Sequence, residues 1–157
     1  MTLKVGDKAP NFALPDSKLK MRSLSEYSGE KVVLAFFPGA FTSVCTKEMC
    51  TFRDSMANLK KLSAKVVGVS VDTPFTLAEF DKRNNLNFDL LSDSTRTVSK
   101  QYGGVHEDFV SLKGLSVSKR SIFVLGGDGV IRYVWISEDP GKEPDYKKIQ
   151  EVLSGIN

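Results

Sequence analysis

The chain has 157 residues, of which 41% are hydrophobic and 26% are charged, and its formal net charge is +3. This length predicts a single domain spanning 1–157 that buries roughly 70% of the surface of its unfolded chain. The small charge, carried by scattered lysines and arginines, argues against nucleic-acid binding.

The first ten residues, MTLKVGDKAP, lack the apolar stretch of a secretory signal. The longest aliphatic and aromatic run, from Val32 to Phe37, is too short to cross a bilayer. We therefore expect a cytoplasmic protein with no membrane association. In that reducing compartment a pair of cysteines is more often catalytic, sensing or metal-binding than structural, and one histidine leaves too few ligands for a zinc site.

Apolar runs predict four strands, at 31–37, 64–71, 121–125 and 130–136, and the segment 11–29 before them predicts a small hairpin and turn. The first three runs are continuous enough to be buried on both faces of a sheet. The last two flank GGDG, which is typical of a hairpin turn.

Helical patterns separate the strands. The stretch SVCTKEMCTFRDSMANLKKL predicts one continuous helix over 43–62, because apolar residues recur at steps of four and three from Cys45. A second helix begins near Pro74 with Asp72 as its expected N-cap, and a third, PDYKKIQEVLSG, ends at Gly155.

Parallel strands joined by helices, then an antiparallel hairpin and a closing helix, predict an α/β protein. Its mixed central sheet would be covered on both faces, as in a thioredoxin-like fold with an N-terminal hairpin extension. The segment 103–120 has no clean period and is predicted to be a long surface connection.

Both cysteines lie in the first predicted helix. Cys45 falls in its first turn, where backbone N–H groups lack partners, Thr42 or Ser43 can cap the helix, and the dipole favours a nucleophilic thiolate. Cys50 lies about 7.5 Å along the axis and about 140° around it. A disulfide needs Cα atoms within about 7 Å, so the pair could close only if the helix unwound. The spacing suits a cycle in which one cysteine is oxidised and the other then forms a disulfide with it. The alternative is that Cys50 takes no part in the chemistry.

Several segments together resemble one family. PGAFTSVC matches the P-x-x-x-T-x-x-C signature of the peroxiredoxins (AhpC/TSA family), and CTKEMC is similar to the C-x4-C variant of the peroxiredoxin Q, or bacterioferritin-comigratory, subgroup. The segments VGDKAPNFALPD, VVGVSVD, FDLLSD and KRSIFVLGGDGVIRY extend the resemblance along most of the chain. FFPGAFTSVC is more similar to the subgroup whose typical members use a single cysteine.

This resemblance implies a thiol-dependent peroxidase that needs no cofactor and no metal. It assigns Cys45 as the peroxidatic cysteine, which attacks the O–O bond of hydrogen peroxide or an organic hydroperoxide. Thr42 would hydrogen-bond the thiolate or the peroxide, and Pro38 would shield the sulfur from water. Arg120 would stabilise the thiolate and the polarised peroxide.

The resemblance also implies that Cys50 resolves the sulfenic acid as an intramolecular disulfide, which thioredoxin or a similar dithiol protein reduces. Glu48, in the same turn, could orient the arginine or face water. Three other interpretations stay open: a one-cysteine peroxidase with Cys50 as a bystander, a thiol–disulfide oxidoreductase, and a peroxide sensor that relays oxidation to a partner protein. A monomer and a homodimer are both compatible with the sequence.

Overall fold

The computed structural model describes residues 2–156, so the two end positions of the predicted domain 1–157 lie outside the described residues. The described part forms these strands: β1 Ala13–Pro15, β2 Met21–Ser23, β3 Lys31–Phe36, β4 Ala64–Ser70, β5 Asp89–Ser92, β6 Val105–His106, β7 Val117–Ser118, β8 Ser121–Leu125 and β9 Ile131–Ile136. Its α-helices are α1 Ser43–Asp54, α2 Met56–Lys61, α3 Pro74–Asn84, α4 Thr97–Gln101 and α5 Tyr146–Ser154. None of these helices has the length and apolar character needed to span a membrane.

A five-stranded mixed sheet forms the centre of the structure. Its strand order is β5-β4-β3-β8-β9, in which β3, β4 and β5 run parallel and β8 and β9 are antiparallel to their neighbours. Helices α1 and α2 connect β3 to β4, and α3 connects β4 to β5, as parallel pairing requires. The mixed sheet and its flanking helices confirm the predicted α/β architecture.

Side chains on the two faces of β3 enter two separate cores. Val33 faces the core covered by α1, α2, α3 and α5, whereas Leu34 faces the core under the N-terminal hairpin and α4. Burial on both faces explains why the strand is a continuous apolar run. The helix-covered core contains Cys45, and Trp135 of β9 packs against it partly buried.

The predicted helix over 43–62 is interrupted. Helix α1 ends at Asp54 and α2 begins at Met56, with Ser55 between them. The Ser55 hydroxyl donates to the carbonyl of Thr51 at 2.9 Å, a local bond that competes with a regular helical ladder. The apolar period continues across the break, so periodicity alone predicts a single helix.

Two further segments differ from prediction. The short run at 89–92 forms an edge strand that the apolar pattern does not predict. Within 103–120 the two ends of the predicted surface connection pair as a short ribbon of β6 and β7, and most of the residues between them are exposed. Each of these strands has only two to four residues, which is too short for a recognisable alternation.

Gly68 of β4 lets α1 lie close to the sheet. A Cβ atom at this position would meet Leu90 Cδ2 at 2.8 Å, Phe37 Cε1 at 3.3 Å and Met49 Sδ at 3.4 Å. Met49 lies one turn after Cys45 in α1. The absence of a side chain at Gly68 therefore leaves space mainly for Leu90 of β5 and Phe37, with Met49 of α1 packed beside them.

We expect Gly68→Ala to lower the free energy of unfolding by about 1–3 kcal/mol, because the added methyl group overpacks a filled core. Urea denaturation followed by far-UV circular dichroism measures this change. Gly155→Ala is the matched control, since its Cβ would meet carbonyl oxygens only at 3.6 and 3.8 Å. Unchanged stability of Gly68→Ala would show that the core around this position accommodates an added methyl group without strain.

Candidate active site

The pairing of β3 with β8 brings two distant segments to one edge of the sheet. Phe36, the last residue of β3, pairs with Ser121, the first residue of β8. The chain leaves β3 through Pro38 on its way to α1, and it enters β8 through Arg120. The register therefore places Arg120 beside the loop that leads to Cys45.

Cys45 is the third residue of α1, and its side chain is fully buried. The first hydrogen bond of the helical ladder runs from the N–H of Thr46 to the carbonyl of Thr42 at 2.9 Å. The N–H groups of the preceding residues, including that of Cys45, therefore have no carbonyl partner within the helix. Together with the helix dipole, these groups favour negative charge on the sulfur.

The guanidinium of Arg120 contacts three groups. Its Nη2 lies 3.3 Å from Cys45 Sγ and 2.7 Å from the carbonyl oxygen of Pro140, and its Nη1 donates to Glu48 Oε1 at 2.7 Å. The side chains of Arg120 and Glu48 are only 1% and 0% exposed. Because a planar guanidinium bonds in fixed directions, the Glu48 and Pro140 contacts aim it at the thiol.

Glu48 lies one turn after Cys45 on the same face of α1, as the i, i+3 spacing requires. Of the two possibilities left by the sequence, the structure shows the contact with Arg120 and not a position facing water. Burial raises the pKa of Glu48 to about 7, although the charge and hydrogen bond of Arg120 act against this rise. Burial alone would lower the pKa of Arg120, but the charges of Glu48 and Cys45 raise it above its ordinary value. The guanidinium therefore stays charged while Glu48 titrates near neutral pH.

Thr42 and Pro38 belong to the loop before α1. Thr42 is the N-cap residue, but its hydroxyl donates to the carbonyl of Gly39 at 2.8 Å and caps no helical N–H group. The expectation that a Thr42 or Ser43 side chain caps the helix was therefore wrong. Thr42 is exposed and Pro38 is buried. Since the N-cap and third residues of a helix are spatial neighbours, Thr42 lies on the Cys45 side of the loop.

Asp72 holds this loop in place. Its carboxylate accepts the N–H of Ala40 at 2.8 Å and the hydroxyl of Ser70 at 2.7 Å. The prediction of Asp72 as the N-cap of α3 was wrong, because Thr73 caps that helix by accepting the N–H of Thr76. Sequence reasoning missed the contact with Ala40, since the two residues are 32 positions apart and no local pattern links them.

Cys50 lies in the same helix as Cys45, is partly exposed, and is likewise a free thiol. Its Sγ lies 3.5 Å from Oδ1 of Asn84, the last residue of α3. The two sulfur atoms therefore have different partners, Arg120 and Asn84. The intact helix keeps them on different sides of its axis.

The arrangement can stabilise negative charge at the sulfur of Cys45 and on an atom bound beside it. A buried guanidinium and a helix N-terminus both face the sulfur of Cys45, and such preorganised donors stabilise developing negative charge. Among residues 2–156, no group of three or more histidine, cysteine, aspartate or glutamate side chains is positioned to hold a metal ion.

Comparisons with known proteins agree with this chemistry. The AhpC/TSA family profile matches residues 5–134. The chain is 38% identical to Peroxiredoxin Bcp of Escherichia coli K12 over 133 residues, which cover 85% of each protein. It is 40% identical over 130 residues to the chloroplastic Peroxiredoxin Q of Oryza sativa subsp. japonica, covering 83% of this chain and 58% of the rice protein.

Solved structures share the fold. The crystal structure of Peroxidoxin BcpB from Mycobacterium tuberculosis matches with a TM-score of 0.86 and 34% identity, over 99% of both chains. A PrxQ variant from Xylella fastidiosa, 24% identical, has the same fold with a TM-score of 0.85 and covers 98% of this chain and 96% of that one. The predicted thioredoxin-like fold and family resemblance are thus confirmed: the chain belongs to the AhpC/TSA family, as a thiol-dependent peroxidase related to the Bcp and peroxiredoxin Q proteins.

Proposed function

We propose that Cys45 is the residue that reduces hydrogen peroxide and organic hydroperoxides. The observation that carries this assignment is the 3.3 Å contact between Arg120 Nη2 and Cys45 Sγ in a buried site. The thiolate attacks one peroxide oxygen, an S–O bond forms and the O–O bond breaks. The sulfur becomes a sulfenic acid, and the other oxygen takes up the proton released by the thiol and leaves as water or an alcohol.

The other residues of the site would stabilise charge, bind the hydroperoxide and exclude water. Arg120 would stabilise both the thiolate and the charge on the leaving oxygen. The Thr42 hydroxyl, while it donates to Gly39, keeps free lone pairs that can accept a hydrogen bond from the hydroperoxide O–H. Pro38, buried in the loop between β3 and α1, would keep bulk water away from the sulfur.

Glu48 would act by holding Arg120 in position. Its 2.7 Å contact with Nη1 fixes one side of the guanidinium, and the carbonyl of Pro140 fixes the other. A guanidinium held at two points loses little freedom when it binds a peroxide oxygen. Glu48 itself need not touch the substrate in this arrangement.

Cys50 would resolve the sulfenic acid. Its sulfur attacks that of Cys45, the S–S bond forms, the S–O bond breaks, and the hydroxyl leaves as water with the thiol proton of Cys50. Because both residues lie in α1, the helix must unwind between them before the disulfide can close.

A dithiol protein of the thioredoxin type would reduce the disulfide to two thiols by thiol–disulfide exchange, and its own two thiols would become a disulfide. Two free cysteines and a dithiol reductant suit a reducing compartment, and we place the proposed cycle in the cytoplasm.

The first test is the intact mass and thiol count of the reduced protein after one equivalent of hydrogen peroxide. We expect the wild type to lose two hydrogens and both thiols as a monomeric product. Cys50→Ser should gain one oxygen and keep its first turnover, and Cys45→Ser should remain unchanged. A wild type that gains oxygen and retains one thiol would instead be a one-cysteine peroxidase, with the reductant acting on the sulfenic acid directly.

Arg120→Lys removes the fixed set of guanidinium donors while keeping a positive charge. We expect the second-order rate constant for Cys45 oxidation to fall by about 10²–10³-fold, the usual effect of losing one preorganised donor. Quenched flow with mass detection measures the rate, and circular dichroism checks the fold. Lys119→Ala is the control, because Lys119 pairs with Glu138, and its rate should stay within about twofold of the wild type. An equally fast Arg120→Lys would show that a positive charge is sufficient and that the fixed guanidinium donors are not needed.

Glu48 makes the stability of the protein depend on pH. Its folded-state pKa of about 7 lies above the ordinary value of 4.5, so the folded protein retains a proton that the unfolded chain releases. Stability should therefore fall as pH rises from about 5 to 7, by roughly 2–3 kcal/mol relative to Glu48→Gln, which has no such proton. Urea unfolding of both proteins across this range measures the difference. If the free energies of unfolding of the two proteins changed equally with pH, the raised pKa of Glu48 would be contradicted.

A further inference from the structure

Cys50 and Arg53, in the second and last turns of α1, both hydrogen-bond to Asn84 at the C-terminal end of α3. The thiol of Cys50 lies 3.5 Å from Asn84 Oδ1, and Arg53 Nη1 donates to the Asn84 backbone carbonyl at 2.6 Å. Asn84 Nδ2 donates to the Phe80 carbonyl at 2.9 Å, which fixes the orientation of the amide. The side-chain oxygen of Asn84 is thereby turned toward Cys50.

The Arg53 contact satisfies a group that a helix end leaves open. Helix α3 ends at Asn84, and Asn85 follows with a left-handed φ of 49°. The last carbonyls of a helix have no partner within it, and a guanidinium is a strong donor to them. Arg53 therefore anchors the C-terminal half of α1 to the end of α3 independently of the cysteine.

Closure of a Cys45–Cys50 disulfide would break only one of these two contacts. The helix has to unwind between the cysteines, while its last turn can stay bound through Arg53 and through the Phe52 ring, which packs edge-on against Tyr146 at 5.4 Å. The Cys50 sulfur, however, must leave Asn84 Oδ1 to reach Cys45. Of the two contacts with Asn84, the Cys50–Asn84 contact is thus the one that resolution has to release.

Two threonine side chains also bond to the backbone of α1 on either side of this segment. The hydroxyls of Thr46 and Thr51 each donate to the carbonyl four residues earlier, at 2.7 Å in both cases. Such bonds compete with the helical ladder and weaken it slightly. The last turn of α1 stays attached through Arg53. The contact between Cys50 and Asn84 then remains as a restraint on the segment that has to unwind.

We propose that Asn84 is a positioning residue that restrains Cys50 in the reduced enzyme, and that release of its side-chain oxygen controls how fast Cys50 reaches the oxidised Cys45. This rests on the proposed function, in which Cys50 resolves the sulfenic acid. A slower release lengthens the lifetime of the sulfenic acid. Asn84 would therefore also set how readily a second peroxide carries Cys45 on to the sulfinic acid.

The first experiment measures the restraint without any peroxidase step. In a Cys45→Ser background, the rate at which N-ethylmaleimide alkylates Cys50 reports how often this thiol leaves Asn84. Asn84→Ala should raise that rate about threefold to tenfold, the effect of losing one hydrogen bond. Asn84→Asp keeps an acceptor oxygen and should alkylate no faster than the background protein. Lys82→Ala, an exposed change on the same turn of α3, is the control.

The second experiment follows the reaction itself with otherwise native protein. Quenched flow and mass detection separate sulfenic acid formation from disulfide formation after addition of hydrogen peroxide. Asn84→Ala should leave the first rate within about twofold, raise the second by the factor seen in alkylation, and yield less sulfinic acid at high peroxide concentration.

Three outcomes would overturn the proposal. Equal alkylation rates in Asn84→Ala and the background protein would show that Asn84 does not restrain the thiol. Slower disulfide formation in Asn84→Ala would mean that the residue assists the attack instead. Faster alkylation in a protein whose wild type forms no Cys45–Cys50 disulfide would remove the role in resolution, and would locate the failure in the proposed function rather than in the contact.

Discussion

The buried guanidinium of Arg120 is the constraint on which the rest of the site depends. A charge without water is tolerated only beside groups that neutralise and hydrogen-bond it, and here Cys45, Glu48 and the carbonyl of Pro140 supply them. These partners come from α1 and from the segment after β9, whereas the arginine precedes β8. The pairing of β3 with β8, the position of α1 on the sheet and the position of the segment after β9 must therefore all be established before these groups surround the thiol.

Patterns local in sequence predicted much of this arrangement. The apolar stripe that begins at Cys45 predicted the buried face of α1. The continuous apolar run of β3 predicted a strand that is buried on both faces. The position of Glu48 follows from helical spacing, although whether it faces Arg120 depends on the β3–β8 pairing. The loop anchor at Asp72 and the carbonyl of Pro140 have no local signal. They become neighbours of the site only after the sheet has formed.

Helix α1 is held differently at its two ends. Its first turn is attached through charge, and in the proposed cycle oxidation of Cys45 replaces a thiolate by a neutral sulfenic acid and removes one of the charges facing Arg120. Its last turn is attached through Arg53 and an aromatic contact, neither of which changes when the sulfur is oxidised. In that cycle, chemistry at the sulfur would weaken one of the charge contacts near the start of α1, while the Glu48–Arg120 contact and the last turn would not be changed by the oxidation itself.

The position of the single tryptophan has a practical consequence. Trp135 lies on β9, partly buried, and packs against the same core as Cys45 and the buried face of α1. Indole emission responds to the polarity and quenching groups around the ring, so the rearrangement of α1 in the proposed cycle would change the emission of this residue. Because the chain has one tryptophan, such a change would report on this core alone.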